Sequence, residues 1–384
     1  MFNQDDGFAA YHAKSLDRFA YMAIGLTLLL VALALYGRFM FSQAQLDQRI
    51  AGLSVSPDQQ LWISLPSKVV VTDAYGDIKQ QHDWSAMGVS EPTVNWLFAP
   101  TQIWMRTVSG DVYRCPLTLT GCLPVKRVWS SGSYASLSLS ANGQFVTALS
   151  NHDGNLYLLD ASTGALIRNT SSYETRTLDI VNAPSRFTDR KGLYKANGSW
   201  SDQQSMVLAN TGFYRLDRWP LLPTGAPDFA AMPQTILQTQ GQPYFIEAFG
   251  QGDQQHWYVL EGEMSLDHGW LNHYLPKGAQ QNSVRIQLPI ADPISMVRLG
   301  DDVLIANMAK PEIVRVGMSG QQDQATDQIS ALNSPDLMPV FRDILQHQTW
   351  FERFSKLCLV LMALLPLGLV LLLKQRGYNL NQAL

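Results

Sequence analysis

The chain begins and ends on long apolar runs, and between them apolar and polar residues alternate in short bursts. Phe19 to Gly37 reads FAYMAIGLTLLLVALALYG, 19 residues without a charge. Wound as a helix, that run reaches about 28 Å, close to the hydrocarbon thickness of a bilayer. Leu357 to Leu373, LCLVLMALLPLGLVLLL, is a second uncharged run of 17 residues. Phe354 and Trp350 extend it towards an interface. Inside lipid, only a helix satisfies the backbone of such a run. Basic residues bracket both runs, Arg18 and Arg38 for one and Lys356 and Lys374 for the other. That argues against helices buried in a soluble core. The expectation is two transmembrane helices, 19–37 and 354–373. For the first run, a cleaved signal peptide competes, because Ala32-Leu33-Ala34 looks like a cleavage signal. Against it, the preceding 18 residues carry Asp5, Asp6 and Asp17, whereas a signal peptide has a short basic lead.

The middle of the chain reads as β-structure. Alternating or wholly apolar runs predict strands at Leu61–Leu65, Lys68–Thr72, Gln102–Thr107, Gln144–Leu149 and Asn155–Leu159. Further strands are predicted at Gln204–Ala209, His256–Glu261, Val284–Leu288, Val303–Asn307 and Glu312–Val316. Turn residues separate them, such as Tyr75-Gly76-Asp77, Ser109-Gly110-Asp111, Ala141-Asn142-Gly143, Asp153-Gly154-Asn155 and Thr163-Gly164. No helical period of comparable strength lies between 55 and 320. Residues 38–51, with Gln43, Gln45 and Gln48 among spaced apolar positions, are expected to continue the first helix as a stalk. From 321 to 353 Gln and Asp dominate first, and Pro335 to Leu345 then predicts a short helix broken at Pro339. That segment reads as a linker back to the membrane. Tails of 1–18 and 374–384 remain, too short to house a signalling enzyme.

The strands also repeat. Leu53-Ser54-Val55-Ser56-Pro57-Asp58 opens one unit, which VVVTDAYGDI, Val69 to Ile78, closes. Leu137-Ser138-Leu139-Ser140-Ala141-Asn142-Gly143 opens another, closed by LYLLDASTGALI, Leu156 to Ile167. IWMRTVSGDVYRC, Ile103 to Cys115, is a hairpin with a similar tip, and looser units follow around Met206–Leu216, Tyr244–Leu260 and Ser295–Val316. This pattern resembles the β-propellers of the WD40, YVTN and quinoprotein-like kinds, in which each blade is a four-stranded meander with an Asp/Gly turn. The resemblance implies blades packed round a central channel. The Trp-Asp and Gly-His signatures of WD40 repeats and the tryptophan docking motif of quinoproteins are missing. Hairpin spacing predicts about six units, spread over 52–320. The expected fold class is therefore all-β, a β-propeller of about six blades between two terminal transmembrane helices. A two-sheet sandwich array is the competing fold.

Charge narrows the partners. The 28 basic and 32 acidic residues nearly cancel, to a formal charge of −4, and no Lys/Arg run appears. Nucleic acid is excluded as a partner, since holding phosphates needs a concentrated basic surface. Basic residues near the spans do not decide orientation. The tails carry Lys14, Arg18, Lys374 and Arg376, and the flanks of the middle domain carry Arg38, Arg49, Arg342, Arg353 and Lys356. The positive-inside rule sets four against five, though long domains translocate largely regardless of charge.

Cys115 and Cys122, in YRCPLTLTGCLP, add a hint. Their spacing suits a small disulfide-closed loop, which persists only in an oxidising compartment. Two reduced thiols remain the alternative. A zinc site is weaker, with no His or further Cys nearby. The expectation is an inner-membrane protein, two-pass, with its large domain on the periplasmic side.

Candidate chemistry is sparse. His256, His268 and His273 fall close to Glu261, Glu263 and Asp267, but without helical metal-site spacing they read as a polar loop between strands. Asp73, Asp160 and Asp217 occupy turn-like positions of the repeat. Lactonase-like propellers hold calcium with such acids, but turn Asp residues usually cap their own backbone. No nucleophile elbow and no phosphate-cradling loop occurs. No catalytic residue, cofactor or metal site is expected. The function expected is a non-enzymatic platform that binds other membrane or envelope proteins beside the lipid bilayer. The alternative is an exported propeller enzyme or ligand-binding protein, a lactonase-like hydrolase or quinoprotein relative.

Overall fold

The computed structural model describes residues 21, 24–40, 50–125, 135–150, 156–169, 196–201, 205–210, 214–228, 231, 233–250, 255–262, 269–275, 283–290, 293–307, 310–317 and 329–375. The chain divides into two compact units, Arg49–Phe341 and the pair Met1–Gln48 with Arg342–Leu384.

Among the described residues, the larger unit holds six four-stranded antiparallel sheets, each built from strands consecutive in sequence. The first comprises β1 (Gly52–Val55), β2 (Leu61–Ser64), β3 (Lys68–Thr72) and β4 (Ile78–Asp83). One helical turn, α2 (Trp84–Met87), leads to β5 (Thr93–Phe98), β6 (Gln102–Thr107), β7 (Val112–Pro116) and β8 (Leu123–Pro124). The third sheet comprises β9 (Ala135–Leu139), β10 (Phe145–Ser150), β11 (Leu156–Asp160) and β12 (Leu166–Asn169). The fourth has β13 (Ala196–Ser201), β14 (Ser205–Asn210), β15 (Arg215–Pro220) and β16 (Gln234–Gln238). The fifth has β17 (Gln242–Phe249), β18 (His256–Gly262), β19 (Gly269–Tyr274) and β20 (Ser283–Ile286). The sixth ends the ring with β21 (Pro293–Leu299), β22 (Asp302–Asn307), β23 (Glu312–Gly317) and β24 (Ile329–Ala331). First strands lie side by side in the order β1, β5, β9, β13, β17, β21, and β21 returns to β1. That is a closed ring of six blades, and the competing sandwich array is set aside.

Burial explains which strands form where. Middle strands are covered by neighbouring blades on both faces, so they are buried throughout and mostly apolar, as in LWIS of β2 and SMVLAN of β14. Outermost strands face water, and IKQQHD of β4 or LIRN of β12 is mostly exposed. The two best-matching sequence repeats are the first and third blades. Ser56 and Ser140 turn their β1–β2 and β9–β10 corners, with Oγ donating to Asp58 Oδ1 at 2.5 Å and Asn142 Oδ1 at 2.7 Å. Their Asp/Gly tips join third to fourth strands, whereas Ile103–Cys115 joins second to third. The similar tips thus occupy different places in the blade.

Among the described residues, no blade borrows a strand from the other end of the ring, so closure rests on other contacts. Leu53 N donates to Ser295 Oγ at 3.0 Å, joining the inner strands of blades one and six. Similar stitches run from Trp96 N to Ser54 Oγ (3.1 Å) and from Arg298 N to Glu247 Oε1 (3.3 Å). After β24 the chain crosses to the β3–β4 hairpin. Ser334 Oγ donates to Asp77 Oδ1 at 3.2 Å, Ile78 N donates to Asp336 Oδ2 at 3.3 Å, and Arg315 donates to Ala74 O. Gly76, at φ +91°, lies under Ser334 and Leu337, where a Cβ would come within 2.8 Å of Ser334 Cβ.

The sixth blade runs past 320, because β24 falls at Ile329–Ala331. The short helix expected to break at Pro339 is instead the start of α3, Leu337–Gln375, 39 residues long. Pro339 sits in its first turn, where backbone N–H groups have no intrahelical acceptor, so proline is tolerated. The expected stalk lies mostly outside the described residues, as do both tails.

In the smaller unit, α1 (24–40) packs on α3. A Cβ on Gly37 would lie 3.2 Å from Cys358 Cβ, so the glycine permits the close approach. Tyr36 meets Phe354 edge-on at 5.7 Å, and Trp350 stacks on Phe354 at 5.5 Å. Among the described residues, no helix is long and apolar enough to cross a membrane. The first expected span is described only from 24, apart from residue 21, and the side chains at 369, 370, 372 and 373 of the second lie outside the described set.

Candidate functional site

Three of the ten tryptophans fall between residues 62 and 96. The fold gathers them where blades one and two pack. Trp62 and Trp96 lie 4.9 Å apart, Trp62 and Phe98 5.1 Å, and Trp84 and Trp96 6.0 Å. Trp84 Nε1 donates to Leu65 O at 2.9 Å and Trp96 Nε1 to Ser64 Oγ at 3.1 Å. Elsewhere Trp104 Nε1 donates to Ala161 O and Trp219 Nε1 to Asp228 O. Trp62 Nε1 is buried without an acceptor. An unmade bond at a buried donor costs about 1–3 kcal/mol, so native structures rarely leave one.

Trp62 lines a groove of about 570 Å³, within the range of small-ligand and peptide-anchor sites. Phe98, Ile103 and Leu119 supply its apolar walls. Asp58, Gln80, His82 and Thr118 supply polar groups, and no lysine or arginine lines it among the described residues. Asp58 Oδ1 accepts from Ser56 Oγ, and no cation pairs with Asp58 among the described residues. His82 Nε2 lies 3.1 Å from Gln80 Oε1, and burial lowers the pKa of the imidazole, favouring its neutral form.

The disulfide expected between Cys115 and Cys122 is present. It closes the loop that carries Leu117, Thr118 and Leu119 to the groove. Cys115, Leu119 and Cys122 pack into the same core as the tryptophans, and Cys122 N donates to Met87 O at 3.1 Å. The crosslink thus fixes one wall of the groove.

No family model and no curated protein sequence matches the chain. Solved structures do resemble it. The β-propeller domain of Cps50 (Swd1) from Myceliophteria thermophila is 11% identical with a TM-score of 0.46, over 71% of this chain and 84% of that one. The WD40 domain of Neurospora crassa Pan2 is 9% identical with a TM-score of 0.44, over 75% and 80%. The dihydro-heme d1 dehydrogenase NirN is 12% identical with a TM-score of 0.43, over 73% and 65%. Among the described residues, the larger unit is a six-bladed β-propeller. These likenesses concern the fold.

The propeller scatters the three acids weighed from the sequence over blades one, three and four. Asp73 Oδ1 accepts from Tyr75 N and Asp77 N, and Lys79 pairs with the carboxylate at 2.9 Å. The Lys79 contact leads in holding its pKa below the usual carboxylate range. Asp160 Oδ1 accepts from the backbone and hydroxyl groups of Ser162 and Thr163, and the Ser162 hydroxyl leads in lowering its pKa to about 2. Both are turn caps. Asp217 is not in a turn. It is buried in mid-β15 and held by Asn210 Nδ2, Arg215 Nε and Thr235 Oγ1.

Of the histidine-rich segment, Glu263, Asp267 and His268 lie outside the described residues. His256 and His273 are neighbours on β18 and β19, with Nδ1 of one 2.8 Å from Nε2 of the other. Tyr258 stacks on His273 at 4.1 Å, and burial followed by the His256 charge lowers the His273 pKa to about 4. Glu261, further along β18, accepts from Tyr274 O–H at 2.5 Å and from Gly241 N, which pins the start of the blade. Burial raises its pKa. Among the described residues, no group of three or more metal-ligating side chains assembles.

The residues that build the groove were not singled out from the sequence. Two signals pointed towards them, the crowding of tryptophan between 62 and 96 and the loop between Cys115 and Cys122.

Proposed function

We propose that this propeller is a non-enzymatic interaction platform, tethered to the inner membrane by the helices of the smaller unit. Its partners would be other membrane or envelope proteins. The observation that carries the tether is the apolar surface of α1 and α3. Leu28 is 65% exposed, Leu35 66%, Leu359 58%, Leu364 55% and Leu367 59%. Soluble monomers rarely leave so much contiguous apolar surface in water. Acyl chains would cover it, and the uncharged runs 19–37 and 357–373 have the length for it. The disulfide supports a propeller on the periplasmic side, where such a bond persists.

The test is fractionation of the full chain followed by alkaline extraction, with protease added to intact spheroplasts. The expected result is retention in the membrane pellet and digestion of the propeller from outside. Release into the aqueous fraction with both ends intact would overturn the tether, and protection from external protease would overturn the orientation. Purification in mild detergent tests the platform. A partner at a fixed ratio is the expected result.

A further inference from the structure

Two half-buried imidazoles face each other on blade five. His256 opens β18 and His273 lies near the end of β19. His273 pairs directly with Tyr258, two residues beyond His256, so both rings stand on one face of the sheet. His256 Nδ1 lies 2.8 Å from His273 Nε2. Two nitrogens bound to one metal ion, each at about 2.0–2.1 Å, are themselves about 2.9–3.4 Å apart. The rings therefore need to part only slightly and turn their lone pairs towards a common point. Aromatic neighbours hold them in place, Tyr258 stacked on His273 at 4.1 Å and Phe249 at 5.7 Å from His256.

Burial lowers the pKa of both rings, so both are neutral at pH 7, the form that ligates a metal. In the hydrogen-bonded pair, one ring proton lies between the facing nitrogens. Moving it to the outer nitrogen of its own ring, His256 Nε2 or His273 Nδ1, frees both facing lone pairs. Among the described residues, neither outer nitrogen is a buried orphan, so each can carry a proton without losing a hydrogen bond.

We propose that His256 and His273 are two protein ligands of a first-row divalent metal ion, with copper(II) held most tightly and nickel(II) and zinc(II) less so. That order is the general one for imidazole sites. Calcium and magnesium take oxygen ligands and do not fit. Among the described residues, no third His, Cys, Asp or Glu joins the pair, so water fills the other positions. Arg298, over the Phe249 ring at 4.0 Å, places positive charge beside His256. Glu247, which pairs with Tyr258 on the same face and accepts from Arg298 N, partly offsets it. The ion is thus held by its bonds to nitrogen rather than by the local field. This inference is independent of the platform reading.

The full chain, purified in mild detergent without a histidine tag and stripped with EDTA, is titrated calorimetrically with copper(II) chloride, zinc chloride and calcium chloride. Copper is expected to bind at one equivalent, zinc more weakly and calcium not at all. His256→Gln and His273→Gln are each expected to weaken copper about tenfold or more, because the second ligand acts at high effective concentration. His347→Gln, in α3, is the control and is expected to leave binding unchanged. Electron paramagnetic resonance of the wild-type copper complex, with and without nitrogen-15 histidine, should show two histidine nitrogens on the metal.

Copper and zinc that bind no better than calcium would overturn the proposal. So would copper binding that survives both glutamine variants, or a spectrum with fewer than two histidine nitrogens. Should a glutamine variant fail to fold, the spectrum of the wild-type complex decides alone.

Discussion

Leu53 N donates to Ser295 Oγ across 242 positions of sequence, and this bond joins the first inner strand to the last. Both groups are buried, so neither finds water when the other is removed. Ser295→Ala is therefore expected to cost about 1–3 kcal/mol, the desolvation of an orphaned backbone N–H. Ser54→Ala, which removes the acceptor of Trp96 N inside the ring, provides the comparison. Denaturant midpoints of the two variants check this. A Ser295→Ala midpoint equal to wild type would mean that the stitch does not hold the ring.

The C-terminal clasp offers a second test. Gly76 combines a φ of +91° with a close approach to Ser334 and Leu337. Gly76→Ala is expected to destabilise by about 1–3 kcal/mol, through left-handed strain and steric displacement of the clasp. Protease should then cut sooner in the 329–341 segment, and timed digestion with mass mapping reads this directly.

Breaking the disulfide should loosen a wall of the groove before it loosens the ring. The chain-entropy relation gives about 2.5 kcal/mol for a loop of this length, closed between Cys115 and Cys122. The double variant Cys115→Ser/Cys122→Ser is expected to lose stability on that order. Its amides at 117–119 should exchange with deuterium faster than those of the buried strand β14 in the fourth blade. Equal protection in both places would contradict the assignment.

Two partly buried groups in blade five should give opposite pH dependences. His273 has a folded-state pKa lowered to about 4 by burial and the His256 charge. Below about pH 6.5 the unfolded chain binds a proton that the folded chain refuses, so this group removes stability as pH falls from there to about 4. Glu247 is pushed up to about 7, by burial against weaker help from Arg298. Above about pH 4.5 the unfolded chain releases a proton that the folded chain keeps, so stability falls as pH rises to about 7. Between pH ~4.5 and ~6.5 the two partly cancel. Glu247→Gln is expected to leave a profile that rises with pH over that window, and His273→Gln one that falls, each by an amount on the order of 2 kcal/mol. Unfolding midpoints from pH 4 to 8 check the signs.

Much of the β-structure was legible because its strands are covered on both faces. β2, β3, β6, β10, β14, β18, β22 and β23 are the second and third strands of their blades, and their apolar runs stand out in the sequence. β4, β8, β12, β16 and β24 were not assigned as strands, since an outer strand facing water has little hydrophobic pattern to show. The apolar terminal runs and the Cys115–Cys122 pairing were equally local, the one a matter of uninterrupted hydropathy and the other of short spacing.

What only tertiary structure decided was whatever depends on residues far apart in sequence meeting. Six blades rather than another number follow from the stitch of Leu53 to Ser295. The extension of the last blade past 320 follows from β24 pairing with β23. Asp217 reads like a turn acid in sequence but is buried because Asn210, Arg215 and Thr235 surround it. The groove exists because a β1–β2 turn, an outer strand and a disulfide loop converge on Trp62 from two blades. Hydropathy and spacing report a residue's covalent neighbours, whereas an unpartnered indole N–H is defined by what packs against it in space.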